Sequence, residues 1–386
     1  LGFAATAAVG APHAEVTCGE PRHAAHRVVS LGDWHGDWGH AVESLTALGL
    51  LRDGHWAGGD AVLVQTGDVV DRGDEGRRLL ELLFRLQDEA AAAGGRVVML
   101  LGNHELMCMQ SDLRYVSPTE LHAAYGGMEK FRAAWAPDGK LGRELRRRAQ
   151  VAAIVGDVAY SHAGLLLDPF DEYAPGATGE DAVRLLNAKA REMLQAEGPE
   201  LRQPSTMLTD RGPFWTRALS MSPEAVACPL LDPVLRRLGV RRMVVGHTPQ
   251  RFGEVGKRCG GRLLLADTFM SEAYTHDAGM SEHNAAAVEF YGGSSSRASA
   301  VYPLRIGAAQ CSLLDAEPQQ LPPGGLIARQ LRSEDPAEAA GFKPSVGSMM
   351  PFAAVGAVAV ACGAFRRLSQ SSGRHSPVGA SSKFHD

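Results

Sequence analysis

The chain has 386 residues, 45% hydrophobic and 22% charged, with a formal net charge of −5 at pH 7. That length and apolar content suit a globular protein with a sizeable core, as one large domain or two smaller ones. The mild acidity gives no reason to expect nucleic acid or an anionic surface as a partner. The six cysteines, Cys18, Cys108, Cys228, Cys259, Cys311 and Cys362, form no CxxC pair. A chain this long needs no disulfide framework, so mostly free thiols are expected.

Residues 1–25 read as an N-terminal extension. Leu1–Gly10 is apolar and small-residue rich, and Ala11–Ala14 loosely fits a small-residue cleavage site. The stretch is either the remnant of a secretory leader or a disordered Ala-rich segment. From 26 to 307 the pattern is that of one α/β unit. Short Val/Leu-rich runs bounded by Gly predict interior strands at Arg27–Leu31, Ala61–Gln65, Arg96–Leu101, Val151–Val155, Val158–Ser161, Arg242–Val245 and Leu263–Ala266. Helical periodicity fills the gaps. Asp37–Leu51 carries Ala41, Leu45 and Leu48 on one face, and Glu75–Ala93 carries Leu79, Leu80, Leu83 and Leu86 before a Gly94-Gly95 stop.

The alternation of strand and helix predicts a largely parallel sheet. Gly156-Asp157, between two apolar runs, predicts a tight hairpin, and with it antiparallel pairing and a second sheet packed on the first. Residues 110–150 and 168–205 read as helical and more polar, as a cap beside a site would. Residues 308–345, with Pro318–Gly325, read as a linker, and 368–386 as a disordered tail. No Asp, Glu, Lys, Arg or His lies between Lys343 and Arg366, and Met349–Phe365 is an Ala/Val-rich apolar run followed by Arg366 and Arg367. The segment 346–367 meets the minimum length for a membrane span, about 17 residues. Pro351 and the weak lipid affinity of Ala and Gly favour instead a buried or disordered stretch.

Five fragments carry the chemistry: Gly32–Asp37 (GDWHGD), Gly67–Gly73 (GDVVDRG), Gly102–Glu105 (GNHE), Ser161–Gly164 (SHAG) and Gly246–Thr248 (GHT). Each follows an apolar run, and ligands at the carboxyl ends of strands are where open α/β sheets place their sites. Asp33 and His35, two apart in extended chain, point the same way and can grip one divalent cation. Asp68 is placed to share its carboxylate between two cations, as a two-metal site requires. Asn103 offers a neutral amide oxygen, and His162 and His247 complete the second ion's ligands. In an extended segment His104 points away from Asn103, which suits an acid over the substrate, kept protonated by Asp71. Arg72, at a helix start opened by Gly73, offers a planar fork to two phosphate oxygens. Carboxylates, an amide and imidazoles without thiolate favour Mn²⁺, Fe or Zn²⁺ over Ca²⁺. The set points to hydrolysis of phosphate esters by an in-line water.

These motifs resemble the phosphoprotein phosphatase family of calcineurin-like metallophosphoesterases over roughly Val28–Thr268. Within that family the chain looks most like the Shewanella-like, bacterial-type phosphatases. Gly212–Arg217 (GPFWTR), Gly246–Gln250 (GHTPQ) and Asp277–Ser281 (DAGMS) carry that narrower likeness. The resemblance implies an α/β (α+β) fold, a four-layer αββα sandwich of two mixed sheets flanked by helices. It implies one ion on Asp33, His35 and Asp68, and another on Asp68, Asn103, His162 and His247. His104 and Asp71 would be catalytic, and Arg72, Arg217 and Asn103 would bind the substrate phosphate. The usual HGG reads His162-Ala163-Gly164, which leaves the local backbone in question.

A phosphoprotein is the implied substrate. Symmetrical dinucleoside tetraphosphate hydrolases share the motifs, and Arg132, Arg143 and Arg146–Arg148 with Tyr125 and Trp135 keep nucleotides in play. An apolar C-terminal span with cationic flank would put the catalytic domain in a lumen, on an endomembrane or secretory route. A soluble plastid or cytosolic enzyme is the alternative.

Overall fold

Strands that are apolar on both faces must be covered on both faces. The computed structural model meets this requirement with two stacked mixed sheets. It describes residues 27–196, 201, 205–250, 254–277, 285–290, 298–302 and 310–313, all within the unit Leu1–Gln319. The elements begin with β1 (Val28–Leu31), α1 (Trp38–Ala47), a small ribbon of β2 (Leu51–Arg52) and β3 (His55–Trp56), β4 (Val62–Gln65), α2 (Gly76–Ala92), β5 (Arg96–Met99) and α3 (Asn103–Met109). A π-helical turn (Glu120–Ala124), α4 (Met128–Trp135), α5 (Lys140–Arg148), β6 (Ala152–Val155), β7 (Val158–Ser161), α6 (Leu167–Tyr173) and α7 (Gly179–Met193) follow. The described chain continues with α8 (Glu224–Leu238), β8 (Arg242–Val245), β9 (Gly256–Arg258), β10 (Leu263–Leu265), α9 (Glu272–Asp277), β11 (Ala287–Phe290), β12 (Ala298–Tyr302) and β13 (Gln310–Leu313).

One sheet has six strands in the order β13-β12-β11-β1-β4-β5, the other five in the order β6-β7-β8-β10-β9. β1, β4 and β5 run parallel, as do β7, β8 and β10. The outer strands are antiparallel, including the β6–β7 hairpin at Gly156-Asp157. The two-residue period of a strand then sorts the apolar residues. Val64, Val98, Val158, Tyr160, Val244, Leu264 and Val288 pack between the sheets, while Leu63, Val97, Met243, Val245 and Leu263 face the helices. α2 covers β5 with Leu79, Leu83 and Leu86, and α7 covers β6. The layers are thus helix, sheet, sheet, helix, as expected for a mixed α/β sandwich.

The expectation of mostly free thiols needs correction. Cys228 of α8 and Cys259, just after β9, form a disulfide with Cα atoms 5.5 Å apart; among the described residues Cys108 is free and buried. The partners are 31 residues apart, so no short spacing marks them. Packing of α8 beside the β9–β10 hairpin brings them together. Arg258, next to Cys259, donates to the carbonyls of Leu219, Ser220 and Ser222, so the same hairpin holds the segment after Arg217.

Several basic and aromatic residues of 110–150 are used by the fold itself. Arg146 is buried and donates to the carbonyls of Trp135 and Leu194. Arg148 pairs with Asp88 and Glu144. Trp135 and Tyr125 are buried and hydrogen-bonded to each other. Among the described residues no helix is long and apolar enough to cross a membrane. The extension 1–25, residues 314–345 of the linker, the run Met349–Phe365 and the tail lie outside those residues, while Gln310–Leu313, within the expected linker, pairs with β12 as strand β13.

Closing a loop of this length restricts the unfolded chain. Cys228→Ser should therefore lower the unfolding free energy by about 3 kcal/mol, read by urea titration under non-reducing conditions. Equal midpoints for variant and wild type would mean that the cross-link constrains nothing.

Candidate metal centre

The five fragments meet along one edge because the strands that precede them are parallel neighbours. β1, β4 and β5 deliver Asp33, Asp68 and Asn103 from one sheet; β7 and β8 deliver His162 and His247 from the other. Glycines permit the close approach. A Cβ on Gly102 would collide with Asp68, and one on Gly67 would lie 2.9 Å from His162 Nδ1.

Asp68 stands at the centre. Its Oδ2 is 3.3 Å from His162 Nε2, 3.8 Å from His35 Nε2 and 3.9 Å from His104 Nε2. Burial opposes ionisation of this carboxyl, yet His162, then His104 and His35, hold it well below the usual carboxylate range. Candidate donor atoms fall into two groups, His35, Asp68 and His104 on one side and Asp68, His162 and His247 on the other, with Asp33 in neither. Asn103 Oδ1 lies 2.9 Å from His162 Nε2, which adds the amide to the second group.

Tautomers are set from behind. His35 Nδ1 is 3.2 Å from the Val70 carbonyl and His162 Nδ1 is 2.9 Å from the Thr66 carbonyl. Each ring therefore donates its Nδ1 proton to backbone and turns Nε2 inward, the arrangement that orients imidazole ligands. Burial, then the charge of His104, keeps His35 neutral by pushing its pKa well down. Burial, His162 and Arg217 lower His247 to about 2. The buried atoms that lack a hydrogen-bonding partner include Asp33 Oδ1 and His247 Nε2. Inward-facing Nε2 atoms, a central carboxylate and orphaned buried acceptors form a donor set that fits divalent cations.

His104 is different. Its Nδ1–H donates to Asp71 Oδ2 at 2.8 Å, and its backbone N–H donates to Asp68 Oδ1 at 2.9 Å. Burial opposes its charge, but Asp68 and the Asp71 hydrogen bond outweigh burial and raise its pKa. The other Asp71 oxygen accepts the Cys108 thiol at 3.3 Å. The guanidinium carbon of Arg72 lies 4.8 Å from the Tyr115 ring centre and 4.0 Å from that of Tyr274, so two aromatic faces fix its plane. Arg217 donates to the His247 carbonyl at 3.0 Å and to Thr248 Oγ1 at 3.1 Å, which puts it beside the second group.

Local backbone differs from the sequence reading in three places. His35 is not in extended chain but in a turn with φ +43°, while Trp34 turns into the core. Asn103 and His104 are the first residues of α3, so helical rotation and not strand alternation separates their side chains. Arg72 precedes α2, which starts at Gly76, and has φ +68°. His35, Asp68, Asp71, Arg72 and His247 make up five of the nine described non-glycine residues with positive φ. Each such residue costs roughly 1 kcal/mol or more, so the surrounding structure has to hold these turns in place. Ala163, where the resemblance expects Gly, is buried and donates its N–H to the Pro213 carbonyl at 2.9 Å.

Glu105, the last residue of the Gly102–Glu105 fragment, has a structural role that its motif does not show. It is buried, and its Oε2 accepts the N–H groups of Gly102 (2.7 Å) and Asp68 (2.9 Å) while Oε1 accepts those of Val69 (2.8 Å) and Val70 (3.2 Å). One carboxyl thus ties the β4 turn to the β5 turn. Burial, then the charge of Asp68, raises its pKa to about 6. A glutamate three residues after a strand-end glycine is the capping-box pattern, the one sequence signal that could have found it.

The sequence matches the calcineurin-like phosphoesterase family over residues 26–251, and the chain belongs to that family. It is 37% identical over 253 residues to an uncharacterised protein of Schizosaccharomyces pombe, covering 64% of this chain and 74% of that protein. It is 28% identical over 293 residues to Shewanella-like protein phosphatase 2 of Arabidopsis thaliana, with 64% and 72% covered. The solved cold-active protein-tyrosine phosphatase of a psychrophilic Shewanella species matches with a TM-score of 0.60 at 26% identity, over 74% of this chain and 80% of that one.

Removing the Glu105 carboxyl would strand four buried backbone donors. Glu105→Ala should cost about 3 kcal/mol or more of unfolding free energy, measured by denaturant titration. A loss below about 1 kcal/mol would show that water replaces the carboxyl.

Proposed function

We propose that the protein is a phosphoprotein phosphatase that hydrolyses phosphomonoesters with two divalent cations, Mn²⁺ or Fe with Zn²⁺ as a further choice. The observation that carries this reading is the central Asp68, with His35 on one side and His162 and His247 on the other. In this reading Asp33, His35 and Asp68 hold one cation, and Asp68, Asn103, His162 and His247 hold the other. When bound, the cations supply Lewis-acid charge and acidify water for attack on phosphorus.

The chain's own groups do the rest. His104, raised in pKa by Asp68 and Asp71 against the pull of burial, gives its proton to the leaving oxygen as general acid. Asp71 holds the imidazole in the required tautomer through Nδ1. The Nδ1 partner separates His104, held on the Asp71 carboxylate, from His35, held on the Val70 carbonyl, although both lie near Asp68. Arg72, its plane fixed between Tyr115 and Tyr274, and Arg217, anchored on His247 and Thr248, face the phosphate oxygens together with Asn103. Charge aimed at the phosphoryl group in advance is the term that lowers such barriers most.

Protein substrates are supported by the names of the relatives, a Shewanella-like protein phosphatase and a protein-tyrosine phosphatase. The structural use of Arg146, Arg148, Tyr125 and Trp135 removes most of what favoured nucleotides.

Chelated and Mn²⁺-reconstituted protein should be assayed on an aryl phosphate, phosphopeptides and dinucleoside tetraphosphates. Activity is expected to vanish on chelation and return with Mn²⁺. His104→Ala should lower kcat about 100-fold or more, and Asp68→Asn should abolish turnover with folding retained. Wild-type turnover by Asp68→Asn would sink the reading, and cleavage of the dinucleotide alone would replace the protein substrate by a small molecule.

A further inference from the structure

We infer that Asp267, which no motif singles out, is a further metal-holding carboxylate that acts with Asp33 on the cation of the Asp33–His35 side. The inference rests on the two-cation reading and adds a ligand group from a sixth strand end. Asp267 lies two residues after β10, in the sheet opposite the one that carries Asp33. The strand ends touch because Gly32 has no side chain: a Cβ there would collide with the Ala266 carbonyl and lie 3.0 Å from Asp267 Cα.

Both carboxyl groups are buried, Asp33 2% and Asp267 1% exposed, and they are in side-chain contact with each other. Each has one oxygen on a backbone donor. His247 N–H donates to Asp33 Oδ2 at 2.9 Å, and Phe269 N–H to Asp267 Oδ1 at 3.3 Å. The remaining oxygens, Asp33 Oδ1 and Asp267 Oδ2, have no donor at all. Two buried carboxyl groups that present bare oxygens to the same space need a positive charge between them, a cation or a shared proton. Asp68 adds a third negative group to the same neighbourhood. No arginine or lysine donates to either carboxyl among the described residues. A divalent cation supplies that charge, and hard oxygen donors favour Mn²⁺ or Fe over softer partners.

A shared proton is the rival way to join two carboxyls, and the two differ in what an amide does. Chelated wild type and Asp267→Asn should be titrated with Mn²⁺ by calorimetry, and their thermal unfolding followed with and without Mn²⁺. The wild type is expected to take up two ions. Asp267→Asn should bind one of them about 10–100-fold more weakly and show a smaller Mn²⁺-induced rise in Tm, with its metal-free Tm at or above that of wild type. Asp267→Glu, which keeps the charge, should bind more tightly than Asp267→Asn. Two ions bound by Asp267→Asn with wild-type affinity, or equal affinity in the Asn and Glu variants, would overturn the role of Asp267. Uptake of fewer than two ions by the wild type would instead overturn the two-cation reading.

Discussion

A carboxylate has to stay charged in the interior, at the point where the ends of two sheets meet. Asp68 is 2% exposed, and a lone ion so placed would be expelled or neutralised. The imidazoles of His162 and His104 lie beside it, the His104 backbone N–H donates to its Oδ1, and its own backbone N–H is held by Glu105. Everything near Asp68 follows from that requirement. The β4 and β5 turns must nearly touch, so Gly102 can carry no Cβ. The imidazoles must face inward, so backbone carbonyls of Thr66 and Val70 take their outer protons.

The same crowding explains the left-handed backbone at the site. Asp68, Asp71 and Arg72 all have positive φ within one short turn. An L-residue avoids that region because its Cβ crowds the following carbonyl. The turn is nevertheless held by Glu105, which accepts three consecutive N–H groups of Asp68, Val69 and Val70, and by the Arg72 N–H donating to the Tyr115 carbonyl. At the site the strain falls in turns that carry the candidate ligands, and it is offset by buried hydrogen bonds at their base. This gives the site a rigid floor and leaves variation to the rim, where Tyr115, Tyr274, Trp215 and Arg217 are partly exposed or exposed.

Much of the fold was legible because strands and chemistry coincide in this chain. The runs before Gly32, Gly67 and Gly102 and at Val158 and Arg242 are short, apolar and β-rich, and each became a strand. The hairpin at Gly156 was legible from its turn residues. Legibility failed where the partner is remote in sequence. Cys228 and Cys259 were expected free and are bonded. Arg146 and Arg148 looked like an anion-binding cluster and are consumed by Trp135, Leu194, Asp88 and Glu144. Arg72 was placed at a helix start, and only the observed turn shows that two tyrosines hold it. A side chain's local pattern says what it can bond, not which distant group reaches it first.

The sequence by itself determined the kind of chemistry. Asp, His and Asn at successive strand ends are donor types that suit cations, and parallel strands put those ends on one edge. The ring neighbours of Arg72, the four-donor grip of Glu105 and the approach of Asp267 to Asp33 were decided only by the tertiary structure. They depend on how closely two sheets and their turns pack, and that distance is set by side chains far apart along the chain. Period and composition act over a few residues, whereas burial, orphaned acceptors and shared charge arise only when distant segments exclude water from the same space.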